Sequence, residues 1–325
     1  MDALESHNLM PTIAANGLSL AYEVEGDAAG SPLVLVMGLG MPLVFWPDAF
    51  VAGLVARGFR VIRFDNRDCG ESSKVPSGRL PNIPLAIARS LIRLPVRAPY
   101  TLRDMADDTA GLLDALGIGR AHFVGVSMGG MIAQTLAAHH PARVTSLTSI
   151  MSSSGNPRVS RARPRALRAL VRRPANPADP DAVVAHMMRV FAVIGSPGFE
   201  IDHDLLRGNC ERVARRGYYP LGTARQLLAI IATGDRRAEL ARIRAPTLVI
   251  HGANDPLLPA AAGRDTARHI ANAKLMVIDG MGHDLPPALT PKLVAAIADH
   301  CRAAETSCDA REGSAEAARA IAPPA

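Results

Sequence analysis

The sequence predicts an α/β fold, with a mostly parallel central sheet, flanking helices and an inserted helical cap. Apolar runs alternate with helical patterns along the first 150 residues, the same alternation resumes near residue 236, and between them it stops. Leu18 to Val24 alternates in the manner of a half-exposed strand. Pro32 to Met37 is a continuous apolar run ending in Gly38-Leu39-Gly40, as expected of a strand covered on both faces. Arg60 to Asp65 forms the next strand, followed by the polar loop Asn66-Arg67-Asp68-Cys69-Gly70-Glu71-Ser72. A helix with apolar positions at Met105, Leu112, Leu113 and Leu116 leads to the strand Ala121 to Val126, and a second helix, Met131 to Ala138, stops near Pro141. Val144 to Ile150, Pro246 to His251 and Lys274 to Ile278 supply further strands.

Residues 1–150 and 236–302 thus read as the sheet core, and 151–235 as a cap inserted into it. The cap is Arg- and Pro-rich with short helical patterns such as Ala182 to Val193. A second interruption, Val75 to Tyr100, carries five prolines (76, 81, 84, 95 and 99) around the apolar segment Leu85 to Leu94 and is expected to form another part of the lid. Residues 303–325 have no apolar periodicity and end in Pro-Pro-Ala, which predicts a disordered tail, because burial cannot offset the entropy of ordering it.

At 325 residues and 48% hydrophobic, the chain can bury a full core. It has no apolar stretch long enough to span a membrane, and its first thirty residues do not read as a secretory signal, so a soluble cytoplasmic protein is expected. Cysteines 69, 210, 301 and 308 have neither zinc-ligand nor disulfide-framework spacing, and reduced thiols are expected. The net charge of +6 could suggest an acidic partner, but it is concentrated at Arg158, Arg161, Arg163, Arg165, Arg168, Arg172 and Arg173, without aromatic interleaving. A solvated helical face or an anionic surface contact fits that pattern, and nucleic-acid binding does not.

The chemistry concentrates at Gly125-Val126-Ser127-Met128-Gly129, a G-x-S-x-G sequence between a predicted strand and a predicted helix. A turn this tight holds Ser127 in a strained conformation with its hydroxyl at the sheet edge, and the flanking glycines leave room for the bend. An ordinary strand–helix connection capped by Ser127 is the plain alternative. A serine hydroxyl is a weak nucleophile and needs a base with a group to orient it. Both follow in the chain: Asp255 in the loop after the strand Pro246 to His251, and His283 in the loop after Lys274 to Ile278. The order Ser127, Asp255, His283 is the one expected when G-x-S-x-G is a nucleophile elbow. Asp279 and Asp284 are weaker candidates for the acid, and His139, His140 and His251 read as structural. The oxyanion of a tetrahedral intermediate requires two backbone donors, expected at Met128 and at Leu39. Gly38 and Trp46 are expected to border the substrate.

With these residues placed, the chain resembles an α/β-hydrolase-fold serine hydrolase over roughly residues 12 to 302, specifically at Gly125 to Gly130, at His251-Gly252-Ala253-Asn254-Asp255 and at Gly282-His283. Met37 to Gly40, Phe45-Trp46-Pro47-Asp48 and Phe64 to Ser72 resemble the aclacinomycin methylesterase group. Where many relatives have His-Gly at the oxyanion strand end, this chain has Met37-Gly38, and because the donor is a backbone N–H the hole need not weaken. The resemblance implies hydrolysis through an acyl-enzyme with neither a metal nor an organic cofactor, on a small apolar ester. A serine nucleophile argues against haloalkane dehalogenases and epoxide hydrolases, which use aspartate. Lactonase, carbon–carbon hydrolase, perhydrolase and a non-catalytic ligand-binding protein of the same fold stay open, as does a homo-oligomer.

Overall fold

The computed structural model describes residues 10–76, 82–92 and 94–321, with side chains up to 306 except that of Leu91. In chain order the elements are β1 (Thr12–Ala15), β2 (Leu18–Glu25), β3 (Ser31–Val36), α1 (Asp48–Val55), β4 (Phe59–Phe64), α2 (Ile83–Leu91), α3 (Leu102–Ala115), β5 (Ala121–Val126), α4 (Met128–His139) and β6 (Val144–Ile150). There follow α5 (Pro164–Val171), α6 (Pro180–Ile194), α7 (His203–Arg215), α8 (Pro220–Thr233), α9 (Arg237–Leu240), β7 (Thr247–Gly252), α10 (Ala260–His269), β8 (Lys274–Ile278) and α11 (Thr290–Ile321).

The strands form one sheet in the order β1-β2-β4-β3-β5-β6-β7-β8. The pairs β1–β2 and β2–β4 are antiparallel, and from β4 through β8 every pair is parallel. Every residue of β5 and β7 is buried, because helices cover both faces of the parallel region. Side chains alternate between two cores. Val34 and Val36 of β3 join Phe123 of β5 beneath α3 and α4, whereas Leu33 and Leu35 join Val124 and Val126 against α1 and α11.

Chain order reverses between β3 and β5: from β3 the chain steps outward to β4 and returns to place β5 on the other side. In an open α/β sheet a crevice forms at such a switch point, beyond the carboxyl ends of the strands. The loops carrying Leu39 and Ser127 leave these two neighbouring strands at that crevice.

Residues 151–235, after β6, fold as α5 to α8, with α6 packed on α5 and α7, and α9 follows before β7. From the second interruption α2 packs against α8, which places it with these helices; Pro81 lies outside the described residues. The tail departs from its expectation, since α11 continues to Ile321, and residues 322–325 lie outside the described residues. Ala, Glu and Arg dominate that stretch and favour helix by local propensity, without an apolar stripe. All seven arginines between 158 and 173 are exposed, as a solvated face requires. Among the described residues no helix is long and apolar enough to cross a membrane.

Candidate active site

Ser127 occupies φ 53° and ψ −117°, a left-handed region that a side chain rarely enters. The bend is enforced by close backbone approach. A Cβ on Gly125 would lie 2.3 Å from the Gly129 carbonyl oxygen, and one on Gly129 would lie 2.0 Å from that of Val36. The Ser127 N–H donates to the Ile150 carbonyl at 2.9 Å, and the Ser152 hydroxyl donates to the Ser127 carbonyl at 2.7 Å. The turn is thereby pinned to the end of β6.

His283 Nε2 lies 3.0 Å from Ser127 Oγ, and its Nδ1 lies 2.6 Å from Asp255 Oδ2. A carboxylate oxygen accepts, so Nδ1 carries the ring hydrogen and Nε2 is left to accept from the serine. Asp255 is itself held, because its Oδ1 accepts the N–H groups of Leu257 and Leu258, each at 2.8 Å. The His283 N–H donates to the Ile194 carbonyl at 2.7 Å, which fastens the histidine loop to the end of α6. Such a chain can draw the proton from a serine hydroxyl onto a fixed imidazole.

His251 stands behind this chain. Its Nε2–H donates to the Leu258 carbonyl at 2.7 Å, and burial keeps its imidazole below the ordinary range. It therefore supports the loop that orients Asp255, as its structural reading anticipates. Asp284 bonds instead to the Ser196 hydroxyl, and His140 to Asp107 at 2.6 Å.

The two candidate donors are the N–H groups of Leu39, which follows Gly38, and of Met128, which follows Ser127 at the start of α4. Neither has an acceptor among the described residues, and that of Met128 is one of the orphan donors that begin any helix. Gly38 lies against the serine, for a Cβ there would stand 3.4 Å from Ser127 Cβ.

A cavity of about 390 Å³ opens above these residues, bordered by Gly38, Leu39, Ser127 and His283 below and by Met187 and Phe191 of α6 above. Trp46 does not line it. The indole is fully buried, stacked on Phe50 at 5.3 Å in the core between the sheet and α1, and its neighbours Phe45 and Pro47 face the cavity instead. The largest apolar side chain of this loop goes where most water is excluded. The Met128 side chain is likewise buried in the core under α4, leaving only its backbone for the site.

Several contacts at the site have no local sequence signal. Gln226, fully buried on α8, accepts the Gly40 N–H at 2.8 Å and donates to the Arg67 carbonyl at 2.7 Å. Asn66 Nδ2 donates to the Met37 carbonyl at 3.1 Å, and Asp65 Oδ1 accepts the Leu43 N–H at 2.7 Å. The loop bearing Leu39 is therefore clamped at both ends. Arg216 and Arg225 reach from the same helical layer to Asp65 and Asp68, at 2.9 and 3.2 Å. The one hint in the sequence is the spacing of Gly222, Arg225, Gln226 and Ala229, polar residues at i+3 and i+4 on a helical stripe that turns out to be buried.

Comparison with known proteins agrees with this geometry. Residues 31–286 match the family model described as alpha/beta hydrolase fold. The chain is 30% identical to the rhodomycin D methylesterase DnrP of Streptomyces peucetius over 315 residues, covering 91% of this chain and 99% of that one. It is 31% identical to the rhodomycin D methylesterase DauP of Streptomyces sp. (strain C5), with the same coverage. The solved enol-lactonase of Burkholderia xenovorans LB400 superposes with a TM-score of 0.68 at 27% identity, over 89% of this chain and 99% of that one. The chain thus belongs to the α/β-hydrolase fold family, as a hydrolytic enzyme of the esterase kind.

Proposed function

We propose that the enzyme hydrolyses the ester of a small alcohol, such as methanol, with a bulky and largely apolar carboxylic acid, using Ser127, His283 and Asp255. The observation that carries this is the unbroken chain from Ser127 Oγ through His283 to Asp255, at 3.0 and 2.6 Å, at the floor of an apolar cavity. The methylesterase relatives, matched along nearly their whole length, support the choice of a methyl ester.

Ser127 Oγ attacks the ester carbonyl while His283 Nε2 takes the hydroxyl proton. The N–H groups of Leu39 and Met128 donate to the resulting oxyanion, and their fixed backbone positions require little reorganisation as charge develops. Collapse breaks the bond to the alkoxy oxygen, and the imidazolium returns its proton to the departing alcohol. Water then enters, gives a proton to His283 and adds to the acyl carbon, and the acid leaves as Ser127 recovers its proton. Asp255 holds the ring and stabilises its cationic form without itself becoming protonated. The helices of 151–235 act as a cap that excludes water and shapes the acyl site. The buried free thiols of Cys69, Cys210 and Cys301 fit a reducing, cytoplasmic setting, whereas the side chain of Cys308 lies outside the described residues.

The test combines turnover and labelling. Wild-type protein is expected to hydrolyse p-nitrophenyl and aryl methyl esters and to form a single fluorophosphonate adduct at Ser127 by mass spectrometry, and Ser127→Ala is expected to abolish both. Absence of turnover together with absence of the adduct would overturn the reading.

A further inference from the structure

The cavity wall is mostly apolar, and most of its buried polar side chains are already engaged, whereas the exposed Glu200 and the half-buried Tyr218 have no hydrogen-bond partner among the described residues. Ser127 and His283 bond each other. Ser196 donates to Asp284 and accepts the Gly282 N–H at 2.7 Å. Asn209 accepts from Arg212 at 2.8 Å, and Asp202 caps α7 through the Leu205 N–H at 2.9 Å. His186 differs. It lies on α6, borders the cavity and is only 7% exposed, yet neither ring nitrogen has a protein partner among the described residues. An unpaired polar group on an otherwise apolar cavity wall is one that a bound molecule can match.

We propose that His186 is a specificity-determining residue that hydrogen-bonds a hydroxyl group at the far end of the bound molecule. Burial, with Arg172 and Arg189 nearby, holds its imidazole below the ordinary range and hence uncharged. A neutral ring presents one donor and one acceptor, and a hydroxyl can satisfy either. The placement along α6 follows from the helix. The Ile194 carbonyl of α6 receives the His283 N–H at 2.7 Å, and from 194 back to 186 the helix rises about 12 Å at roughly 1.5 Å per residue. Along α6, His186 thus stands about two turns from the end fastened to the His283 loop, and the ligand class is an extended apolar molecule with its reacting carbonyl at Ser127 and a hydroxyl that meets His186. This deepens the ester-hydrolase reading and rests on it only for what happens to the bound molecule.

Binding tests the proposal independently of turnover. The affinities of 1,10-decanediol and 1-decanol are measured by calorimetry on the full-length protein, its His186→Leu and His186→Phe variants, and His186→Gln. Both apolar variants are expected to lower the diol-to-alcohol preference about tenfold, the worth of one hydrogen bond in a dry site, with His186→Gln restoring part of it. His186→Phe keeps a planar ring in place, so a fold that Leu disrupts is still examined. An unchanged preference in whichever apolar variant folds would overturn the proposal. A preference that does depend on His186, in a protein that turns over no ester, would uphold it and sink the hydrolase reading alone.

Discussion

The sheet and the cap border the same cavity but are fixed by different interactions. The sheet is held by two apolar cores that alternate strand residues send to opposite faces. The helices α5 to α8 pack an apolar cluster around Val183, Met187 and Val213 onto Met41, Val44 and Phe45 of the loop after β3, and they also reach the loops of the sheet through buried polar contacts: Arg216 to Asp65, Arg225 to Asp68, and Gln226 to Gly40 and Arg67. Apolar burial is non-directional and tolerates sliding. A buried charge or amide is satisfied in one register only, since a shift leaves it unpaired. The sheet therefore supplies strength at Ser127, and the polar contacts of α7 and α8 supply registration over the loop of residues 38–40.

Four perturbations separate these contributions. Asp255→Asn acts wholly within the sheet loops and offers Nδ1 of His283 a donor in place of an acceptor, so kcat is expected to fall about 10⁴-fold in steady-state assays, with circular dichroism unchanged. Arg225→Met strips Asp68 of its buried cation and also removes a bond to the Val75 carbonyl at 2.7 Å. Urea unfolding is expected to show a loss of about 3 kcal/mol, partly recovered by adding Asp68→Asn. Gln226→Leu frees the Gly40 N–H and the Arg67 carbonyl. A fall in kcat of about 10- to 100-fold with KM little changed would locate its effect in the transition state; a change in KM alone would refute the clamp.

The smallest effect concerns pH. Burial lowers the imidazoles of His122 on β5, His251 on β7 and His300 on α11 below the ordinary value of 6.5. Between the lowered folded values and the ordinary one, the unfolded chain binds more protons, so unfolding free energy rises with pH across that window. Stability is expected to be full above about pH 6.5 and to decline as pH falls below it, measured by thermal melts across a buffer series. These groups lie in the sheet layer and its packed helix, so Arg225→Met is expected to leave the slope unaltered.

Most of the parallel strands were legible because burial on both faces writes them as apolar runs, the edge strand β8 was legible from Leu275 to Ile278 although only Ile278 is buried, and β3 through β8 fall within a residue or two of the segments that announce them. β1 was not, being a four-residue edge strand with half its residues exposed. Ser127, Asp255 and His283 could be named because each follows a strand, and parallel strands end together; the structure brings all three within hydrogen-bonding distance. Trp46 shows the limit. Its neighbourhood at the cavity was readable, but not the turn that sends the indole inward and Phe45 outward. The helix to Ile321 shows another, since a stretch without an apolar face carries helical propensity all the same.

By itself the sequence determined the strands β2 to β8 and the candidates for nucleophile, base and acid, because these depend on local periodicity and on which residues terminate strands. Only the tertiary structure decided that Gln226 braces Gly40 from 186 positions away and that His186 lies buried without a partner on the cavity wall. Such contacts depend on how a helical layer settles on a sheet, and no local pattern encodes that placement.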